Sequence, residues 1–474
     1  MRGRYIRHTA ACLFGMAALL ITADAALARA IRPEWSVIDR IAPVPQQTAL
    51  EPGSGALLVP GAREGITRIA RGGHRMHISL PTPVDSISAP RRGDIWAAGN
   101  TAVYHRSRLG IRAFPLPRGV QASAPILVSA GGRAVWMAGL RDGQYILARL
   151  VAGHWDVVRT VGWVSGLDTV SDREAWAATG DGVLRWNGRR WARVPGTEGN
   201  TYTAVRAFDN GITWAVGSGR SATDGIGGYI DRHGYHTAGR GLLTPPAGIS
   251  GCAEDVWATG QASSQAAQLF PPLWSPTYMP TVSQLLQVRG DGSLLATRMT
   301  STGAPRLLEL RPMQVSDSGF PQPTARVRQG AQMAWHVARG ATEKHSVGTI
   351  AAFHLLNPFP YAHGRVFFGS FPAAGTYPLR DRTDGARARV RVPLRVTSTG
   401  QLQLSTYLFP PQGQGYQVQI GVGAGSPFRP WMSTTSGRVP LPVTPGTYEF
   451  RSRYADLPSG KHTGWSPVLT VTVD

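Results

Sequence analysis

Three acidic residues recur at one spacing. Asp94, Glu174 and Asp255 each stand two positions before a tryptophan, at Trp96, Trp176 and Trp257. Turned toward a common axis, such carboxylates could form a ring for acid–base chemistry. The simpler expectation is that an acid before a strand accepts backbone N–H bonds in the turn. Four imidazoles, His336, His345, His354 and His363, lie close together and could rebuild a metal site. Isolated histidines more often serve as surface or hydrogen-bonded core residues. Arg387, Arg389 and Arg391 alternate in ARARVRV, which puts three guanidiniums on one face of a strand. That face is either simply solvated or meets an anionic polymer, such as a cell-wall glycopolymer or acidic polysaccharide.

No other constellation rises above background. There is no G-x-S-x-G elbow, H-E-x-x-H pair or Walker phosphate loop. The glycine-rich run Gly217–Gly228 reads as a link between strands. Cys252, in SGCAED, reads as a small buried residue before a strand and not as a catalytic thiol. On these grounds no catalytic, cofactor-binding or metal residue is assigned, and no cofactor is expected.

The elements that must position these residues repeat. IWAAG, VWMAG, AWAAT, TWAVG and VWATG place Trp96, Trp136, Trp176, Trp214 and Trp257 at steps of 40, 40, 38 and 43 residues. A period of about forty, built of short apolar strands and glycine turns, marks a β-propeller. Leu58 in LLVPG and Leu295 in LLATR occupy the same position in two weaker copies, which makes seven units. A second aromatic closes most units: Phe114, Trp155, Trp191, Tyr235 and Trp274. The first unit has Ile78 there and the seventh has nothing. Trp35 precedes Leu58 by 23 residues, just as Trp191 precedes Trp214. Trp35–Ile41 is therefore expected to form the outer strand of the last blade and to remove a free sheet edge. The tryptophans themselves are expected to pack between blades. SDREAW, at Ser171–Trp176, lacks the glycine of the sialidase Asp-box.

Arg2, Arg4 and Arg7, an apolar run from Thr9 to Ala23 and the small-x-small triplet Ala28-Arg29-Ala30 read as a secretory signal over 1–30. The mature chain would then keep one cysteine, which excludes an intrachain disulfide. It would have no integral membrane span and would reside outside the cell or in its envelope. The net charge is +21, but 47 of the 49 basic residues are arginines spread along the chain. No recognition helix or aromatic–basic platform accompanies them, which speaks against nucleic-acid recognition.

Past residue 312 the period stops. MQVSDSGFPQPT (313–324) reads as a linker. AQMAWHVARGATEKHSV (Ala331–Val347) and YAHGRVFFGSFPAAGTYPLRDRTDGARARVRV (Tyr361–Val392) resemble a cupredoxin domain. The resemblance places His345 at the first copper histidine and Asp381 where the family has its copper cysteine. The loop Arg382–Ala386 lacks the second histidine and the methionine, so a copper-free β-sandwich over 325–395 is implied. YQVQIGV (Tyr416–Val422), GTYEFRSRYAD (Gly446–Asp456) and GWSPVLTVTVD (Gly464–Asp474) resemble a fibronectin type III domain over 396–474. The family usually serves as a spacer or protein-binding module.

The sequence thus predicts an all-β chain: a seven-bladed propeller over 31–312, then two sandwiches. The function expected is non-enzymatic binding by a monomer, with an extracellular protein or anionic glycopolymer as partner. A propeller hydrolase or lyase acting on an acidic glycan is the alternative. Carboxylates, or a Tyr/His/Arg cluster, at the propeller mouth would favour the enzyme.

Overall fold

The computed structural model describes residues 33–40, 47–61, 65–121, 124–208, 210–219, 224–238, 245–252, 255–260, 265–270, 273–278, 283–302, 305–349, 360–407 and 410–473. The signal segment over 1–30, His354 and the side chain of Trp274 lie outside them. Every regular element described is a strand. The chain divides into two units, Trp35–Leu310 and Arg311–Asp474 joined by the segment up to Glu34.

Within Trp35–Leu310 the described strands form seven four-stranded antiparallel sheets. Six of them use four consecutive strands. The repeated tryptophan always lies on the second strand, and the weaker copies fall at the same place: Leu58 on Leu57–Pro60 and Leu295 on Leu294–Met299. All seven of these residues are buried. Trp136 packs into the next sheet, edge-on to Trp186 and Trp191 at ring distances of 5.0 and 4.9 Å. Trp96, Trp176 and Trp214 likewise enter cores shared with the following sheet. Such rings each bury about 150–250 Å², which holds adjacent sheets face to face.

The seventh sheet is completed from the other end of the chain. Ser36–Arg40 pairs antiparallel with Pro305–Leu310 as the outermost strand. Trp35, just before it, is buried. The first and seventh sheets share a core of Leu57, Val59, Ile69, Leu286, Leu295 and Leu307. Arg289 crosses the same junction: its Nε donates to the Gly55 carbonyl at 2.7 Å, and its Nη1 pairs with Glu309. Both side chains are almost fully buried. Burial pulls the Arg289 pKa below its ordinary value, and Glu309 opposes that shift.

In the second unit, sheets of three and four strands share one core around Trp335, Phe371, Tyr377 and Leu379. The segment 313–324, read from its turn residues as a linker, belongs to this core. Met313–Val315 pairs in parallel with Gln332–Val337, and Thr324–Arg326 pairs in parallel with Arg387–Val392. Met313 and Val315 are completely buried. Three-residue strands separated by Asp, Ser, Gly and Pro carry too little periodicity to stand out in sequence. Another pair of sheets, again three and four strands, encloses Tyr416, Val418, Phe450 and Tyr454.

Candidate functional site

The first strands of the seven sheets surround one cavity of about 490 Å³. Its walls follow from register. The residue opposite the tryptophan position is Ala49, Ser88, Ser129, Asp168, Arg206, Ser250 or Gln287 in sheet order. All of these except Ser250 line the cavity. Neighbouring first strands belong to different sheets, so side chains take up the backbone donors of the next sheet. Ser88 Oγ accepts the Ala130 N–H at 3.0 Å, Asp168 Oδ2 accepts Ala207 N–H at 2.7 Å, and Ser250 Oγ accepts Val288 N–H at 2.7 Å. Gln287 Nε2 donates to the Thr48 carbonyl at 2.9 Å, across the junction of the seventh and first sheets. Buried backbone groups need such partners.

Asp168 is the single carboxylate among the described lining residues. Besides its bond to Ala207 it has only a distant contact, 4.0 Å, with Arg206 Nη1. The rest of the wall is the Arg206 guanidinium, hydroxyl, amide, glycine, alanine and other apolar groups including Phe208. No cysteine, histidine or tyrosine lines the cavity among the described residues. These wall positions had no signature in sequence. They could have been found by counting seven to nine residues back from each tryptophan-position residue, once the hairpin was assumed.

The three repeated acids do not meet at this axis. Each bonds the third-strand residue that faces its own tryptophan. Asp94 Oδ1 accepts from His105 Nε2 at 2.8 Å, Glu174 Oε1 from Arg185 Nη2 at 3.1 Å, and Asp255 Oδ1 from Gln268 Nε2 at 2.5 Å. Those residues sit opposite Trp96, Trp176 and Trp257. His105 stacks on Trp96 at 4.0 Å, and Arg185 lies over Trp176 at 5.0 Å. The acids therefore brace tryptophan-packing residues through side chains; the turn-capping role expected of them is not what these bonds do.

Cys252 ends its strand opposite Asp255 and is half-buried instead of fully buried. Gly217–Gly228 spans a hairpin in which Ser218 pairs with Gly225. A Cβ at Gly228 would come within 2.6 Å of the Tyr235 ring, so glycine there is a packing requirement.

In the second unit the resemblance paired His345 with Asp381, and the structure joins them. His345 Nδ1 contacts Asp381 Oδ2 at 2.6 Å, and Nε2 contacts Asp317 Oδ1 at 3.0 Å. His345 and Asp381 are completely buried. Burial alone would lower the His345 pKa, but the two carboxylates outweigh it and raise it. Asp317 is held far below the usual carboxylate range by the Thr342 backbone and hydroxyl, His345 and the Glu343 N–H. Asp381 Oδ1 also accepts the Ser346 and Thr383 N–H groups. His336 is bonded to Gln314 at 2.8 Å, and His363 is exposed. The donor atoms of His345, Asp381 and Asp384 lie within 4.8 Å of one another. A blue-copper centre needs a thiolate and two imidazoles. One imidazole with both nitrogens engaged by carboxylates does not fit that group.

Arg387, Arg389 and Arg391 share the outward face of their strand, as alternation requires. Among the described residues, no helix is long and apolar enough to cross a membrane.

No family model matches this chain, and no curated protein matches it. Among solved structures it is similar to the WD40 β-propeller domain of Doa1, at 11% identity and a TM-score of 0.42, over 58% of this chain and 96% of that one. YCF48 from Cyanidioschyzon merolae is similar at 12% identity and a TM-score of 0.41, over 59% and 99% of the two chains. The extracellular domain of the putative hybrid two-component system BT3049 from B. thetaiotaomicron gives 11% identity and a TM-score of 0.39, covering 92% of this chain and 57% of that one.

Proposed function

We propose that this is a secreted or envelope-associated, non-enzymatic binding protein. In this reading the seven sheets are the blades of a seven-bladed β-propeller whose axial face receives an extracellular protein or an anionic glycopolymer. The observation that carries it is the acid economy of the axis. A glycoside hydrolase of the usual kind needs two carboxylates about 5–10 Å apart. Asp168 is the only carboxylate among the described lining residues, and its Oδ2 accepts a backbone N–H.

The two smaller cores are then β-sandwiches that act as spacers or attachment modules. The first would be cupredoxin-like, with the Asp317–His345–Asp381 cluster standing where copper would be. The second would be fibronectin type III-like. Tyr448 Oη donates to the Thr444 carbonyl at 2.8 Å near the start of the long strand Gly446–Asp456, which has the form of a tyrosine corner.

The test is a screen of the chain without residues 1–30 against cell-wall fractions and purified glycans, scored for both retention and cleavage. Retention without product supports the proposal. Turnover of any glycan that Asp168→Asn abolishes would replace it with the hydrolase or lyase reading.

A further inference from the structure

The sheet formed by Thr324–Arg326, Arg387–Val392, Gly375–Asp381 and Val347–Thr349 has two unlike faces. Inward are Ala325, Ala388, Val390, Tyr377, Leu379, Val347 and the His345-bound Asp381. The outward positions are Thr324, Arg326, Arg387, Arg389, Arg391, Thr376, Pro378, Arg380 and Gly348. Register brings the arginines together. Arg380 faces Arg387, Arg391 faces Arg326, and Arg389 lies between Pro378 and Thr324. Gly348 leaves room beside Arg380, and Arg382 fills it, its Nε 3.4 Å from where a Cβ would stand.

Among the described residues, no carboxylate pairs with these six guanidiniums. Arg389 Nε donates to the Thr324 hydroxyl at 3.1 Å. The other five have no hydrogen bond or ion pair among the described residues. The only other acid in these strands or the turn between Asp381 and Arg387 is Asp384, which accepts the Ala386 N–H. Like charges directly opposite on a sheet are unfavourable, and this sheet holds two such pairs. The seventh sheet of the ring also sets like charges opposite, Arg306 facing Arg40 and Arg298, but that row has three arginines where this face gathers six.

We propose that this face binds a linear anionic polysaccharide. Successive arginines along a strand stand about 7 Å apart and the neighbouring strand about 4.8 Å away. That is a flat lattice for charges borne on consecutive units of an extended chain. The guanidinium fork suits carboxylate and sulfate equally. The face carries no aromatic residue, so it lacks the stacking platform of a single-stranded nucleic-acid site. The site lies within the second unit and does not depend on the axial reading of the first.

The experiment measures binding of the full chain to polygalacturonate, dextran sulfate, neutral dextran and a short DNA duplex at an ionic strength of about 0.15 M. One variant replaces Arg387, Arg389 and Arg391 with threonine; a second, matched in charge, replaces Arg133, Arg173 and Arg189. Wild type should bind the two anionic glycans and not neutral dextran. The sheet variant should weaken both by about tenfold or more, with an unchanged or raised melting temperature; the ring variant should stay within about twofold. Equal losses in both variants would reduce the effect to net charge and overturn the proposal. Tighter binding to the duplex than to either glycan, or no glycan binding, would also overturn it.

Discussion

The two units differ in where their acids go. In the ring of sheets, most acids on or beside the strands are matched within their own sheet, although Arg306 faces both Arg40 and Arg298 there. Asp94 takes His105, Glu174 takes Arg185 and Glu51 takes Arg68. In the seventh sheet the order is reversed, and Arg289 takes Glu309. In the arginine sheet of the second unit, charge is sorted by face, with basic groups outside and Asp381 inside on His345. Matching inside one repeat makes these charges part of the scaffold, so the matched residues report on packing. Sorting by face leaves a field that no partner among the described residues cancels. The ring also burdens one junction more than the others, because Arg289 and Glu309 are buried where its first and seventh sheets meet.

That junction gives the largest expected effect. Glu309→Ala strands the Arg289 guanidinium at about 2% exposure, and breaking a buried pair in this way costs about 3–5 kcal/mol. Urea unfolding followed by hydrogen exchange across Leu294–Met299 should show that loss. The double variant Arg289→Met with Glu309→Leu should recover most of it, because an apolar pair of similar volume is close to neutral. If Glu309→Ala costs no more than an exposed pair such as Arg193–Asp181, about 0–1 kcal/mol, then burial does not set the worth of charge in the ring.

The second unit should differ in its pH response. His345 has a raised folded pKa, so its stabilisation is complete below about pH 6.5 and is lost as pH climbs through the raised value. Asp317 is depressed, so its contribution is present above about pH 4 and fades as pH falls below that. Hydrogen exchange of peptides around Val347–Thr349 should show greatest protection between those limits. His345→Gln should flatten the alkaline limb. The Arg289–Glu309 junction should show no such limb, because arginine stays charged throughout. A matching alkaline loss at Pro305–Leu310 would erase the distinction between the units.

How much of this was legible in sequence depended on whether the partner lay at a fixed offset. The tryptophan period located the second strand of five sheets, and the 23-residue offset from Trp35 to Leu58 pointed to the strand that pairs with Pro305–Leu310. Both signals are spacings that repeat. The partners of Asp94, Glu174 and Asp255 lie 11, 11 and 13 residues later, an interval set by hairpin length, so the acids looked like turn residues. The axial wall was invisible because Ala, Ser, Asp, Arg and Gln alternate at one structural position with no common chemistry. His345 was singled out by its resemblance, yet Asp317 was missed because its segment was read as a linker. The outward set of Arg387, Arg389 and Arg391 followed from alternation alone; Arg326 and Arg380 needed the register of two other strands.

The smallest effect is the most discriminating, because its sign differs between the units. Arg185→Thr in the ring removes the bond to Glu174 and the stack on Trp176. For so exposed a pair the loss is about 0.5–1 kcal/mol. Arg387→Thr on the arginine sheet removes one member of the Arg380–Arg387 cross-strand pair. Relief of that repulsion should raise stability by about 0.2–1 kcal/mol, and threonine suits an exposed strand position. Both substitutions delete the same side chain from a sheet surface and change net charge equally, so general charge effects cancel. Added salt sharpens the contrast: screening should shrink both shifts toward zero. If Arg387→Thr destabilises as Arg185→Thr does, the outward arginines are held by contacts within the fold, and the case for an anionic ligand on that face loses its physical basis.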